Sequence, residues 1–224
     1  VAAVAKLGAQ WIAAGFVHGV LNTDNINVTG ESFDYGPRRF LPTYDPDFTA
    51  AYFDETGLYS FGRQPDTLAW NLTRLAECLV PLSSIEALEP ALNTIWPQFR
   101  AALPAAMLGR LGLNPRHVES DSAFITALFG FLNHSQAPYE QFFFDWRGGA
   151  LSAKRAASSP SAEFYATDAF RPIADALEGY SASDRVNLDH PYFAGTKPRT
   201  MLVEDVEAIW APIAERDDWG IFAQ

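Results

Sequence analysis

Apolar positions recur along most of this chain at helical spacing, and proline and glycine divide it into segments. Val4, Leu7, Trp11 and Ile12 mark a first helix over residues 1–15, with Gly15 as its stop. Ile26, Asn27, Val28 and Thr29 alternate apolar and polar, the pattern of a short strand. Gly30 supplies a turn, and Ser32, Phe33 and Asp34 can return antiparallel. Residues 37–62 carry too many prolines and glycines for a long element. From Pro65 the chain reads as helix again, with Leu68, Leu72, Leu75, Ala76 and Leu79 in one stripe that ends near Pro81. Ser83 and Glu86 have the spacing of a capping box, opening a helix through Leu88, Leu92 and Ile95. Pro97 and Pro104 are expected to break or kink the next stretch, leaving a further helix over 98–112 closed by Gly109 and Gly112. Amphipathic helices are expected over 121–133 and 201–216, a short helix over 164–177, an aromatic-rich buried helix over 138–146 with Phe142, Phe143, Phe144 and Trp146 in the core, and irregular chain over 147–163 and 180–199. The fold class expected from this pattern is mainly α with a small β-hairpin.

Composition narrows the classes of function. The 224 residues are 48% hydrophobic and include six Trp and 17 Phe, enough for a substantial core. A formal charge of −11 argues against a nucleic-acid partner or an anionic membrane surface, which call for a basic stripe. It leaves room for ATP, because a metal and a few local cations can offset the phosphates. The lone cysteine, Cys78, makes no intrachain disulfide and no thiolate zinc cluster. It sits in an apolar helical pattern and is expected to be buried. Freedom from disulfides fits a reducing compartment, and a cytoplasmic location is the expectation. No stretch has the length and apolarity of a membrane span.

The candidate chemistry lies in the run HGVLNTDN at residues 18–25 and in Asp34-Tyr35-Gly36-Pro37. Asn25 offers a carboxamide oxygen, and Asp24 and Asp34 offer carboxylates. These are hard donors, of the kind magnesium takes when it also keeps waters and substrate phosphates. If Thr29-Gly30 is a two-residue loop, Asn25 faces Asp34. If Gly30-Glu31 is the loop, Asn25 faces Gly36 and Asp34 lies one diagonal away. Either register keeps the pair within roughly 5–8 Å between Cβ atoms, close enough to share one divalent ion. The order of parts is that of a protein-kinase site: helix, loop ending in a metal-binding Asn, hairpin, Asp-aromatic-Gly. A kinase places its catalytic Asp five residues before that Asn, and here that position is Val20. The only acid close by is Asp24. His18 is read as a brace for the loop.

These residues carry a resemblance to a known family. HGVLNTDN, DYGP eight residues later, YDPDF at 44–48, Gly62-Arg63-Gln64-Pro65 and Trp70-Asn71-Leu72 with Arg74-Leu75-Ala76 together resemble the selenoprotein O family over residues 1–82. The resemblance implies a protein-kinase-like fold that transfers AMP from ATP to Ser, Thr or Tyr hydroxyls of a protein substrate, with the nucleotide flipped relative to kinases. It implies Asp24 as proton acceptor and Asn25 and Asp34 as ligands of magnesium, or manganese in its place. It also implies that Asp34 stands near the nucleotide. Some relatives carry a cysteine shortly after Asp-Pro-Asp for a redox switch, but here Phe48-Thr49-Ala50-Ala51 follows.

On this reading residues 1–146 form a kinase-like C-terminal lobe, residues 147–224 form a helical and irregular extension, and the upstream nucleotide-binding lobe is absent from the chain. No G-x-G-x-x-G and no P-loop motif occurs. The 224 residues alone are therefore expected to hold half an active site, with weak nucleotide binding and negligible turnover. Two other readings remain open at this level: transfer of the γ-phosphoryl group by a kinase-like enzyme, and a non-enzymatic helical binding module with a degenerate site.

Overall fold

The computed structural model describes residues 1–32 and 36–223. Helix α1 (Ala2–Ala14) ends where the pattern places its stop, with Gly15 in the left-handed region at φ 65°. The chain passes directly into strand β1 (Phe16–His18), which pairs antiparallel with strand β2 (Arg38–Phe40) in the register Phe16–Phe40, Val17–Arg39 and His18–Arg38. All three β1 residues are buried, as expected for a short strand inside a helical body.

Among the described residues of the hairpin expected over 26–34, no strand pair forms. Ile26 and Ser32 make a single antiparallel bridge, which corresponds to neither of the two expected registers. The connection is a three-residue loop, Val28-Thr29-Gly30. The Gly30 N–H donates to Asn27 O at 2.9 Å, and Gly30 adopts φ 82°. A hydrogen-bonded turn closed by a left-handed glycine suits three-residue loops. Val28 is 85% exposed, so the alternation has no buried face to hold a strand. Gly30 sits on the start of α1, where a Cβ would stand 2.5 Å from Ala3 Cβ. The expected pairing of Asn25 with Asp34 lies outside the described residues.

Helix α2 (Gln64–Leu79) carries Pro65 in its first turn, as the sequence indicates. Its apolar stripe is buried only at Leu68 and Leu72. Leu75 and Leu79 are exposed, and so is Cys78, against expectation. The last turns run past the body, so periodicity there marks an apolar face without covering it. Helix α3 (Ile85–Leu92) takes Ser84 rather than Ser83 as its cap residue. Helix α4 (Ile95–Leu111) is continuous through both prolines and through Gly109. Pro97 lies in the first turn, where no intrahelical donor is needed. Pro104 is interior, but Met107, Leu108 and Leu111 beyond it are fully buried. That packing outweighs the one missing hydrogen bond.

Helix α5 (Val118–Ser135) and the short helix α6 (Tyr139–Asp145) complete the centre. Every residue of α6 except Glu140 is buried, and its phenylalanines belong to the core as expected. α1 packs along α4, and α4 along α5. One cluster runs from Ile12 through Met107, Leu128 and Phe142 to Phe170 and Tyr180. A second joins Val4, Trp11, Phe16, Leu21, Leu68 and Leu72.

Residues 147–163 are not plain loop. They form a 3-10 turn at Gly149–Ser152, helix α7 (Ala153–Ala157) and the start of helix α8 (Ala162–Tyr165). Their small side chains are what allow this close packing. Ser159 Oγ donates to Asp145 Oδ2 at 2.6 Å, and Tyr165 Oη donates to the same oxygen at 2.8 Å. The helix expected over 164–177 is two pieces, α8 and α9 (Arg171–Glu178), with Pro172 opening the second. Helix α10 (Val203–Arg216) closes the chain, and its Val206 and Trp210 are exposed where the pattern suggested a buried face. Among the described residues, no helix is long and apolar enough to cross a membrane.

Candidate active site

The run from His18 to Asn25 is irregular chain, so its shape depends on what holds its backbone polar groups. α2 supplies much of that support. Gln64, Leu68 and Asn71 recur at i, i+4 and i+7 and share one helix face. Gln64 is fully buried. Its Oε1 accepts the His18 N–H at 2.8 Å, and its Nε2 donates to Phe16 O at 3.0 Å. A single amide thus bonds to β1 much as a neighbouring strand would. One turn further along, Leu68 packs with Leu21. Asn71 Nδ2 donates to Leu21 O at 3.3 Å and to Asn22 O at 3.4 Å.

The loop also braces itself. The buried His18 ring accepts the Val20 N–H on Nδ1 at 3.2 Å and lies against Trp11 and Phe16, in keeping with a structural role. The Gly19 N–H donates to Pro37 O at 2.6 Å, which joins the two motif runs through their backbones. A Cβ at Gly19 would stand 2.3 Å from that oxygen, so the approach requires glycine. Thr23–Asn25 form one 3-10 turn. Asn25 is buried, and its Oδ1 accepts the Asn22 N–H at 3.1 Å. Tyr59 Oη donates to Asn22 Oδ1 at 2.5 Å. Burial raises the Tyr59 phenol above its ordinary value, and the carboxylates of Asp54 and Asp24 push the same way.

The turn therefore presents Asp24 to solvent while Asn25 points into the loop. The two are sequence neighbours held in one rigid turn. Asp34 lies outside the described residues, and with it the expected sharing of one divalent ion between Asn25 and Asp34. Among the described residues, no group of three or more His, Cys, Asp or Glu side chains is placed to hold a metal. Asn25 fits magnesium in kind, since its Oδ1 is a hard oxygen, although that oxygen also accepts the Asn22 N–H; the second expected ligand, Asp34, is not among the described residues. Sequence reasoning assigned no roles to Asn22, Tyr59, Gln64 and Asn71. Gln64 and Asn71 left a readable signal: two amides on the apolar face of a helix, spaced so that both meet one neighbour.

Comparison with known proteins finds relatives that match along most of the chain. It is 36% identical to a protein nucleotidyltransferase YdiU of Gloeobacter violaceus over 97% of this chain and 46% of that protein. The YdiU protein of Synechocystis is also 36% identical, over 98% and 48% of the two chains. That of Mycolicibacterium paratuberculosis is 36% identical, over 93% and 44%. The chain thus spans about half the length of the curated relatives it matches. The family described as protein adenylyltransferase SelO matches residues 1–224, and the chain belongs to that family.

Proposed function

We propose that this chain supplies the catalytic-loop half of an enzyme that transfers AMP from ATP to Ser, Thr or Tyr hydroxyls of a protein. The observation that carries the reading is the turn at residues 23–25: an exposed carboxylate directly before a buried amide, on a loop held by Gln64, Asn71 and Pro37 and lying in a chain whose whole length matches the family. In the proposed reaction the acceptor hydroxyl gives its proton to Asp24 and its oxygen bonds to the α-phosphorus. The bond from the α-phosphorus to the bridging oxygen breaks, and pyrophosphate leaves with the electron pair. Asn25 and Asp34 would hold magnesium, which when bound neutralises phosphate charge. Asp24 suits its role because it is exposed and its backbone is fixed, so the carboxylate reaches an incoming hydroxyl without the loop rearranging.

Grafting residues 1–224 in place of the matching half of the Gloeobacter relative provides the test. The chimera is incubated with magnesium, a protein acceptor and ATP labelled on the α-phosphate. Label is expected on the acceptor, with the adduct mass of an adenylyl group. Asp24→Asn is expected to lower transfer by roughly 10²–10⁴-fold, the usual worth of a general base. An acceptor that gains a phosphoryl group instead, or an Asp24→Asn chimera that transfers normally, refutes the reading.

A further inference from the structure

Next to the catalytic loop the fold builds a pocket of about 290 Å³ that the transfer chemistry does not use. Its floor is the fully buried Leu21, three residues before Asp24. Its walls are Leu58, Tyr59 and Trp70, with Arg63 and Asp66 among its lining. Leu58 is 45% exposed and Trp70 51%, so both offer bare apolar surface at the opening. The walls are held from behind. Asp54 accepts the Leu58 N–H on Oδ1 and the Tyr59 N–H on Oδ2, each at 2.8 Å. Thr67 Oγ1 donates to Leu58 O at 3.4 Å, and the Arg74 guanidinium lies 5.3 Å from the centre of the Trp70 ring. These supports keep the cavity open without an occupant, which is the preorganisation expected of a binding site.

We infer that this pocket receives a large apolar side chain of the acceptor polypeptide, next to the residue whose hydroxyl is modified, and so sets sequence preference. Position identifies the occupant. Tyr59 is at once a wall of the pocket and the donor to Asn22 Oδ1, two residues before Asp24, and the Asp24 carboxylate acts on its phenol. Asn22 lines the pocket and caps the turn that carries Asp24, so an extended peptide with its hydroxyl at Asp24 has a neighbouring side chain to set against the exposed Leu58 and Trp70. Asp66 in the lining and Asp24 and Asp54 beside Tyr59 outnumber the one lining cation, Arg63, whose guanidinium donates to Gly57 O, and this balance disfavours an acidic residue at the same place. The inference rests on the proposed function for the role of Asp24, but peptide selection is measurable without any transfer.

The test uses the 224-residue chain and fluorescein-labelled nine-residue peptides with a central Ser, Thr or Tyr, read by anisotropy. The residues flanking the centre are Leu, Met or Phe in one set, and Ala or Asp in the other. The apolar set is expected to bind roughly tenfold or more tightly, the gain from burying one such side chain. Trp70→Ala and Leu58→Asp, both surface changes that leave the melting temperature in place, are each expected to erase the difference. Equal binding by both sets overturns the inference, as do a preference that survives both substitutions, absence of binding by every peptide, and displacement of the peptides by magnesium-ATP. A chimera that transfers no AMP, with peptide preference intact, refutes the proposed function and leaves the pocket standing. Transfer without preference does the reverse.

Discussion

Gln64→Met is the most direct test of how the loop from His18 to Asn25 is held. Methionine keeps the length and flexibility of the side chain but removes both polar atoms. The His18 N–H then loses its acceptor at 2.8 Å and Phe16 O its donor at 3.0 Å, in a place with no solvent access. Each buried group deprived of such a bond costs about 1–3 kcal/mol, so the substitution should cost about 2–6 kcal/mol. That is a large share of the roughly 5–15 kcal/mol typical of a domain, and at about 2–4 °C per kcal/mol it lowers the melting temperature by roughly 4–24 °C. Unfolding followed by circular dichroism measures this. Two comparisons make the result specific. Asn71→Leu removes longer bonds, 3.3 and 3.4 Å, and also removes a buried Oδ1 that has no hydrogen-bond partner among the described residues. It should therefore cost less than Gln64→Met. Gln64→Glu keeps the acceptor but sets a buried negative charge beside Phe16 O, so it should be the least stable of the three at neutral pH. It should recover on acidification, when the carboxyl can again donate. A Gln64→Met melting temperature within a degree or two of the parent would refute the claim that this amide holds the loop.

Gly19→Ala should push β1 away from Pro37, because its Cβ would meet the Pro37 oxygen; a loss of about 1–3 kcal/mol in urea unfolding is expected. Asp145 is buried, and desolvation raises its carboxyl above the ordinary value, opposed by hydrogen bonds from Ser159, Gln141 and Tyr165 and by the Arg155 charge. A carboxyl raised in the folded state binds its proton more tightly there than when unfolded. Its contribution to stability is full below the ordinary carboxylate range and is lost as pH rises through the raised value. The stability of Asp145→Asn, measured across the acid range, should lack that slope. Cys78 is exposed and should react with one equivalent of a thiol reagent without denaturant; protection until unfolding would contradict the fold around the end of α2.

Local chemistry decided the elements whose partner is the helix itself. The left-handed glycine after α1, the proline in the first turn of α2, the apolar periodicity of α5 and the continuous aromatic run of α6 act within a turn or two, so the sequence alone places them. The same holds for the motif that marks the family, because its residues are contiguous. Where the outcome depends on what lies opposite, one-dimensional pattern was insufficient. Residues 26–29 alternate like a strand yet stay a turn, because Val28 has nothing to pack on. Pro104 remains inside α4, because the buried side chains beyond it outweigh one lost bond. Leu75, Cys78 and Trp210 keep helical spacing but face outward. Only the tertiary structure shows that α2 reaches across to grip the loop with Gln64 and Asn71, since burial and hydrogen-bond partnership between residues some fifty positions apart are set by packing. Residue type and order determine which groups can do chemistry, and three-dimensional packing decides which of them are held, which are exposed and which lie side by side.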